Sequence, residues 1–595
     1  MARFKVFAVA LTVAALATSG IADASSSAIL AKRADTPDNS TVVSSKFAEG
    51  THGVVAAEEA TCSQIGVDVL KDGGSASDAA IAAALCTGTI NSFSSGIGGG
   101  GFMLVRPAPT SKQSGNTQAT AIDYRETAPA ASTKDMYYKN GTLSQRGGLA
   151  SGVPGEVRGY AAAHKRFGKV SWARLFEPSI KLANEGFKCS AVMRQRLTAY
   201  NTSVFGNKEF EAIFAPNGKL LEEGDLIVRK NYGETLKRIA TQGPDAFYTG
   251  QIAQHIVDKI RATGGILTMK DMASYEAVVR PAVTGTYRGM KIFTTPPPTS
   301  GTVLLNILNI LEGFPLNLGG NTSYGLEEHL LTEAFKHGNA QRTRLADPAF
   351  VNIEADVQRM TNKVFASQQR ANISFDHTFD TNYYNPDYDI PSSHGTTHIS
   401  VVTQDGGAAS LMTTVNLIFG SFVMEGVTGV IMNNEMDDFS TTDKPNAFGY
   451  FPSIKNRIAP RKRPLSSATP VIAVSIPDAS CNTTSSGSGE RILVAGASGG
   501  SNIITNVGQV VQRVLDHNMS LVAAVDAPRL HHQLLPAQVK VEDRMSEVVK
   551  KFLQDRGHKV VNYDDPGVVQ VAARHANGTL QAVSDMRKKG QPAGY

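Results

Sequence analysis

At 595 residues the chain can bury a large core, and length alone allows about two to four domains. Its net charge of +5 is small for this length and aromatic residues are not interleaved with basic ones, so neither a nucleic-acid partner nor an acidic substrate is expected. One Trp and four Cys exclude a disulfide-dense small scaffold.

The chain opens on a targeting pattern. Arg3 and Lys5 form a basic start, residues 6–18 are almost wholly apolar, and Ala22-Asp23-Ala24 is a small-x-small cleavage site. The apolar run is shorter than the ~20 residues a spanning helix needs. Residues 1–24 therefore read as a signal peptide, with an uncleaved anchor as the alternative. Residues 25–49 are rich in Ser, Thr and Ala and are expected to be disordered after processing. Eight Asn-x-Ser/Thr triplets start at Asn39, Asn140, Asn201, Asn321, Asn372, Asn482, Asn518 and Asn577. They fit a secretory glycoprotein that is released, held at the cell surface or vacuolar.

Residues 60–71 read as a helix stopped by Gly73 and Gly74, and Ser77 reads as the N-cap of a second helix over 78–87. Cys62 and Cys86 then lie at similar distances from the turn, so a bridge is geometrically allowed; two buried free thiols are the other reading. Cys189 and Cys481 are far apart in sequence and their pairing stays open. Residues 96–101 satisfy G-x-G-x-x-G by letter, but they precede a strand at 102–106 rather than linking a strand to a helix. A tight backbone path is expected there instead of a dinucleotide site. A short strand at 121–124 ends at Arg125. Residues 158–187 read as mainly helical, and 251–263 as a helix stopped by Gly264 and Gly265. The proline loop 295–301 precedes an apolar helix at 303–313, and 376–394 is polar and turn-rich, an exposed linker.

The stretch Gly395-Thr396-Thr397-His398 opens a strand directly after that linker. A threonine hydroxyl is a weak nucleophile without a base beside it. If the Gly395–Thr396 bond is cut, the new α-amino group of Thr396 becomes that base. Its ordinary pKa of about 7.7–8.0 suits work near neutrality. The chain thus reads as a precursor that cuts itself into residues 25–395 and 396–595.

Strand 397–403 leads through Gln404-Asp405-Gly406-Gly407, a hairpin turn signal, into a second strand over 408–417. Period two puts Met412, Thr414 and Asn416 on one face. Further short apolar runs at 427–432, 472–476 and 491–495 continue the strand-like pattern, and a helix starts from Ile503. The pattern predicts a layered α/β architecture, with a mostly antiparallel sheet in the last third. Gly496-Ala497-Ser498-Gly499-Gly500 matches G-x-S-x-G between a strand and a helix, the context of a nucleophile elbow. One rival reading is therefore a secreted serine hydrolase using Ser498, with His531, His532 or His558 as base. Another is a non-catalytic secreted binding glycoprotein. There is no P-loop, H-E-x-x-H or paired C-x-x-C, so neither a metal nor a nucleotide cofactor is expected.

From His52 to Tyr595 the chain resembles the gamma-glutamyltranspeptidases. The resemblance rests on CSQIGVDVLKDGGSASDAA from Cys62, GIGGGGFMLV from Gly96, DYRETAPAAST from Asp123 and TTPPPTSG from Thr294. It continues with TTHISVV from Thr396, NNEMDDFS from Asn433, RPLSSATP from Arg463, GASGGSNIIT from Gly496 and a closing GQPAGY. It implies an N-terminal-nucleophile fold, a four-layered αββα sandwich. It also implies self-cleavage into two fragments that stay associated as a heterodimer, and breakage of γ-glutamyl amides such as glutathione through a γ-glutamyl ester on Thr396. Water, or the amine of an amino acid or dipeptide, resolves that ester.

By the same resemblance Thr414 holds the nucleophile, and Gly499 and Gly500 form the oxyanion hole. Arg125, Ser466 and Ser467 receive the α-carboxylate of the donor, and Asn416, Glu435 and Asp438 its α-ammonium. Around Phe448 and Tyr450 the chain departs from the lid-loop tyrosine seen in bacterial members. His398 carries no assigned chemistry and is expected to be a hydrogen-bonded strand histidine.

Overall fold

The computed structural model describes residues 44–109, 117–316, 321–388, 395–441, 451–476 and 489–595. The signal-peptide, Phe448 and Tyr450, Cys481 and linker-tip readings lie outside them. No described helix is long and apolar enough to cross a membrane.

Two seven-stranded sheets form the middle of the molecule, and every strand pair within them is antiparallel. The first runs in the order Lys46–Gly50, Leu580–Ser584, Val568–Arg574, Ile492–Ser498, Val471–Ser475, Met290–Thr294, Val283–Tyr287. The second runs Ala593–Gly594, Gly53–Ala56, Thr397–Thr403, Ala408–Thr414, Gly100–Arg106, Thr120–Asp123, Val278–Pro281. Each sheet therefore interleaves strands from before and after residue 395.

The layering follows from strand periodicity. In Ile492–Ser498, Ile492 and Val494 enter the core between the sheets, where they meet Val54, Leu104 and Val402. Leu493, Ala495 and Ala497 point the other way, onto helices Gly301–Glu312 and Asn502–Asp516. On the second sheet Ile399 and Val401 pack beneath helices Ala60–Lys71 and Ala76–Ile90. The order helix, sheet, sheet, helix is the expected αββα sandwich.

Helix Ala76–Ile90 starts at Ser75 and not at the expected Ser77. The Ser75 hydroxyl accepts from Asp78 N, while the Asp78 carboxylate accepts from Ser75 N, a reciprocal capping box that Ser77 cannot form. Cys62 and Cys86 are bridged, with Cα atoms 5.3 Å apart. Cys189 is a buried free thiol. The predicted hairpin forms as Thr397–Thr403 and Ala408–Thr414, with Gly406 at φ +84° in its turn; the second strand ends short of the expected 417, because the backbone turns left-handed at Asn416 (φ +72°).

Residues 427–432 do not form a strand. They make a largely buried loop joined by the isolated bridge Met424–Ile431, held in part by backbone amides of Val427 and Thr428 donating to the Glu425 carboxylate.

The glycine run serves close backbone approach. A Cβ on Gly99 would lie 2.0 Å from the Thr414 carbonyl, and one on Gly101 equally close to that of Met412. Only glycines let this segment lie against strand Ala408–Thr414, which leaves no role for a dinucleotide loop.

Candidate active site

Thr396 sits at the entry of Thr397–Thr403, an interior strand of the second sheet, and is buried. Its Oγ1 lies 3.5 Å from Thr414 Oγ1 on the neighbouring strand, at the outer limit of a hydrogen bond. Thr414 Oγ1 in turn accepts from Asn416 N at 2.8 Å. The backbone before it is unusual: φ is +98° at Gly395 and +125° at Thr396. A Cβ on Gly395 would fall 1.7 Å from the Asn416 carbonyl, so only glycine fits before this threonine.

A polar cluster ties Thr396 to the other sheet. Lys588 Nζ donates to the Thr396 carbonyl at 3.4 Å, to Ser498 Oγ at 3.2 Å and to both Glu58 oxygens at 3.1 and 3.2 Å. Ser498 Oγ itself donates to Glu58 Oε1 at 2.9 Å. One ammonium thus brings the end of strand Ile492–Ser498 to Thr396. The chain next passes through Gly499 and Gly500, at φ +120° and +60°, into helix Asn502–Asp516. A glycine pair before a helix N-terminus turns amides outward, as an oxyanion hole requires.

The elbow reading of Ser498 does not survive this geometry. Among the described residues the hydrogen-bond partners of its hydroxyl are Glu58 and Lys588. His531 instead bonds Thr505 and Gln533, His532 accepts from Leu534 N, and His558 pairs with His329. Gly496 has a packing reason: a Cβ there would lie 2.1 Å from the His398 ring. That ring is held by Ser410 at 3.2 Å, and burial pushes its pKa down to about 3, as befits a structural histidine. Gly496→Ala is expected to cost about 1–3 kcal/mol through overpacking. A urea midpoint equal to that of the parent would remove His398 from this contact.

Arg125 is also buried. Its guanidinium reaches Glu435 Oε1 at 2.6 Å and forms a closer ion pair with Asp438. Burial opposes its charge, but Glu435 and Asp438 outweigh that and hold it above the usual arginine range. Burial raises the Glu435 carboxyl well above its ordinary value and moves that of adjacent Glu126 up to about 7, despite the nearby Arg125. With Asp438 added, three carboxyls surround one guanidinium, and their mutual repulsion adds to burial in pushing Glu126 and Glu435 upward.

Hydrogen bonds and chain continuity join this cluster to the Thr396–Thr414 pair. Asn416 Nδ2 donates to the Asn434 carbonyl at 3.1 Å, Asn434 Oδ1 accepts from Leu417 N at 2.9 Å, and Glu435 follows in sequence. Asn433 pins the turn from below, donating to the Gly98 and Gly152 carbonyls. Asp437 faces away and accepts from Ser144 Oγ at 2.5 Å.

Ser466 and Ser467 are buried beside the proline loop. Ser466 N donates to the Pro298 carbonyl at 2.7 Å, and Ser467 Oγ accepts from Arg342 Nη2 at 3.0 Å. Arg342 ends helix Asn321–Arg342, and burial pushes its pKa down to about 10. Nothing local in the sequence marks Arg342, Glu126, Lys588, Glu58 or Asn434 as part of a site. Arg342, Lys588 and Glu58 acquire meaning only through partners far away in sequence.

The gamma-glutamyltranspeptidase family model matches residues 62–595. The chain belongs to the gamma-glutamyltranspeptidase family. Glutathione hydrolase proenzyme 1 of Schizosaccharomyces pombe is 42% identical over 554 residues, covering 92% of this chain and 85% of that one. The Escherichia coli glutathione hydrolase proenzyme is 37% identical over 545 residues, covering 90% of each chain. Among solved structures, cephalosporin acylase from Bacillus halodurans superposes with a TM-score of 0.80 at 25% identity, over 94% of this chain and 99% of its own. Helicobacter pylori gamma-glutamyltranspeptidase gives a TM-score of 0.51 at 32% identity, over 58% of this chain and 96% of that one. The αββα sandwich is thus the fold of the N-terminal-nucleophile hydrolases, and the chain is an enzyme of that class.

Proposed function

We propose that the folded chain cuts its own Gly395–Thr396 bond and then uses Thr396 as an N-terminal nucleophile on γ-glutamyl amides, glutathione among them. The observation that carries this is the backbone at the bond. A β-branched residue at φ +125° is strained by about 1–3 kcal/mol, and cutting the bond releases the constraint. The printed names of the relatives, glutathione hydrolase proenzymes, support both the donor and the precursor.

In the first reaction Thr396 Oγ attacks the Gly395 carbonyl carbon. The C–N bond breaks as the C–O bond forms, giving an ester and a free α-amine. Water then hydrolyses the ester and leaves Gly395 as a carboxylate. In turnover the α-amine takes the Thr396 hydroxyl proton as Oγ attacks the γ-carbonyl, and the oxyanion faces the Gly499 and Gly500 amides. The leaving amine departs with the proton. Water, or an amino acid or dipeptide amine, then attacks the γ-glutamyl ester and regenerates Thr396. No cofactor enters these steps.

The donor end is a zwitterion. A buried guanidinium beside carboxylates offers it the opposite charge order: α-carboxylate toward Arg125 with Ser466 and Ser467, α-ammonium toward Glu435, Asp438 and Asn416. We infer fragments 25–395 and 396–595, held together by their shared sheets, and entry to the secretory pathway through residues 1–24. The exposed Asn140, Asn201, Asn372, Asn518 and Asn577 and the Cys62–Cys86 bridge fit that route.

Trapping with a γ-glutamyl-like electrophile, followed by peptide mapping, tests the nucleophile. The label is expected on Thr396 as the first residue of the small fragment, and Ser498→Ala is expected to keep substantial transfer. A label on Ser498 would overturn this reading, and no label with no turnover would favour a binding protein.

A further inference from the structure

A second cluster lies outside the site just described. Helix Asn321–Arg342 carries His329 and Glu333 one turn apart, and the turn after helix Glu547–Asp555 brings His558 against them. All three side chains are buried. His329 Nδ1 is 2.8 Å from His558 Nε2, which is 4.0 Å from Glu333 Oε1. The three ligand atoms lie within 4.8 Å of one another. A tetrahedral ion with bonds of about 2.0–2.1 Å spaces its ligands about 3.3 Å apart, so small side-chain shifts suffice.

The outer partners favour ligation. His329 Nε2 lies 2.7 Å from the Ser374 carbonyl, which can only accept, so the proton sits on Nε2 and the Nδ1 lone pair faces the cluster. Glu333 is oriented by the Tyr384 hydroxyl at 2.6 Å on Oε2 and the Thr378 hydroxyl at 2.6 Å on Oε1. Lys336 Nζ stands 3.4 Å from Glu333 Oε1 and balances the carboxylate charge, but it is also held by Thr378 and by the Phe379 carbonyl at 3.0 Å. A compact ion can therefore take Glu333 Oε1 without displacing the ammonium from its other partners.

We propose that His329, Glu333 and His558 form a structural site for a divalent transition metal of the zinc type. The ion takes the place of the proton shared by the two imidazoles, and His558 carries its proton on Nδ1 instead. Two imidazoles and one carboxylate are a zinc-like donor set, and water completes the tetrahedron. If the chain is cut at Gly395, as proposed above, the ion joins the fragments, with two ligands on 25–395 and one on 396–595.

Cobalt(II) added to the chelator-treated full-length protein tests this. Expected are the visible absorption of four-coordinate cobalt, saturation at one equivalent, and displacement by zinc. Zinc should also raise the unfolding temperature of the parent protein by about 2 °C or more. Glu333→Gln and His558→Gln are each expected to weaken cobalt binding at least about tenfold. Absence of one-equivalent binding and of the thermal shift in the parent overturns the proposal, whether or not either variant folds. Parent-like binding by a folded His558→Gln overturns it too. The same titration on uncut Thr396→Ala should give equal binding, so the site stands or falls apart from the processing reading.

Discussion

Thr396→Ala is expected to yield one uncut chain without γ-glutamyl turnover. The substitution removes the hydroxyl proposed to attack the Gly395 carbonyl, so no ester would form and no α-amine would be released to serve as base. Loss of a nucleophile from a coupled catalytic unit costs orders of magnitude in rate, about 10⁴-fold or more. The fold itself should persist, because among the described residues the side chain makes one long hydrogen bond, to Thr414 at 3.5 Å. A denaturing gel with N-terminal sequencing of each band decides the matter. Two bands from this variant would mean that an outside protease cuts the chain.

Arg125→Lys is expected to lower efficiency on a γ-glutamyl anilide by about ten- to a hundredfold or more, with self-cleavage intact. A charge-assisted contact of this kind is worth roughly 1.5–3 kcal/mol. Lysine keeps the charge but loses the fork. Arg125 uses separate nitrogens for Glu435 and Asp438, and a single ammonium on a flexible stem cannot hold both carboxylates while presenting a planar edge to a third. Truncation to alanine would be a poorer test, since it strands buried carboxylates and destabilises the protein by about 3–5 kcal/mol. Unchanged kinetics in Arg125→Lys would remove Arg125 from donor recognition.

What was legible in the chain was mostly local. The turn Gln404-Asp405-Gly406-Gly407 carries its own geometry, so the hairpin after Thr396 is legible, although its second strand ends at Thr414 and not at 417. Two short helices and a glycine stop allow the Cys62–Cys86 bridge but do not decide it against two free thiols; the structure forms it. The cap at Ser75 was missed although Ser75-x-x-Asp78 is a local signal, because Ser77 also lies before an apolar run. Residues 427–432 misled because a short apolar run looks the same in a buried loop as in a strand.

The candidate site divides in a similar way. Thr396, Arg125, Glu435, Asp438, Ser466 and Ser467 stood out through their neighbours in sequence and the family resemblance. Lys588 and Glu58 are separated by most of the chain and meet only because both sheets close on the nucleophile. Arg342 reads as an ordinary helix-end arginine until burial removes its water.

The interleaving of strands across residue 395 bears on reversibility. While the chain is whole, both sheets assemble within one molecule, and closing even a long loop carries only a modest entropic penalty. Once the bond is cut, neither piece holds a complete sheet. Reassembly becomes a meeting of two molecules, whose yield depends on dilution and competes with clumping of exposed strands. A cut protein should therefore recover poorly from urea, and still more poorly at lower concentration, whereas uncut Thr396→Ala should recover independently of concentration. Durability after processing would then rest on a slow rate of unfolding, and the cut would act as a one-way ratchet in the life of the molecule.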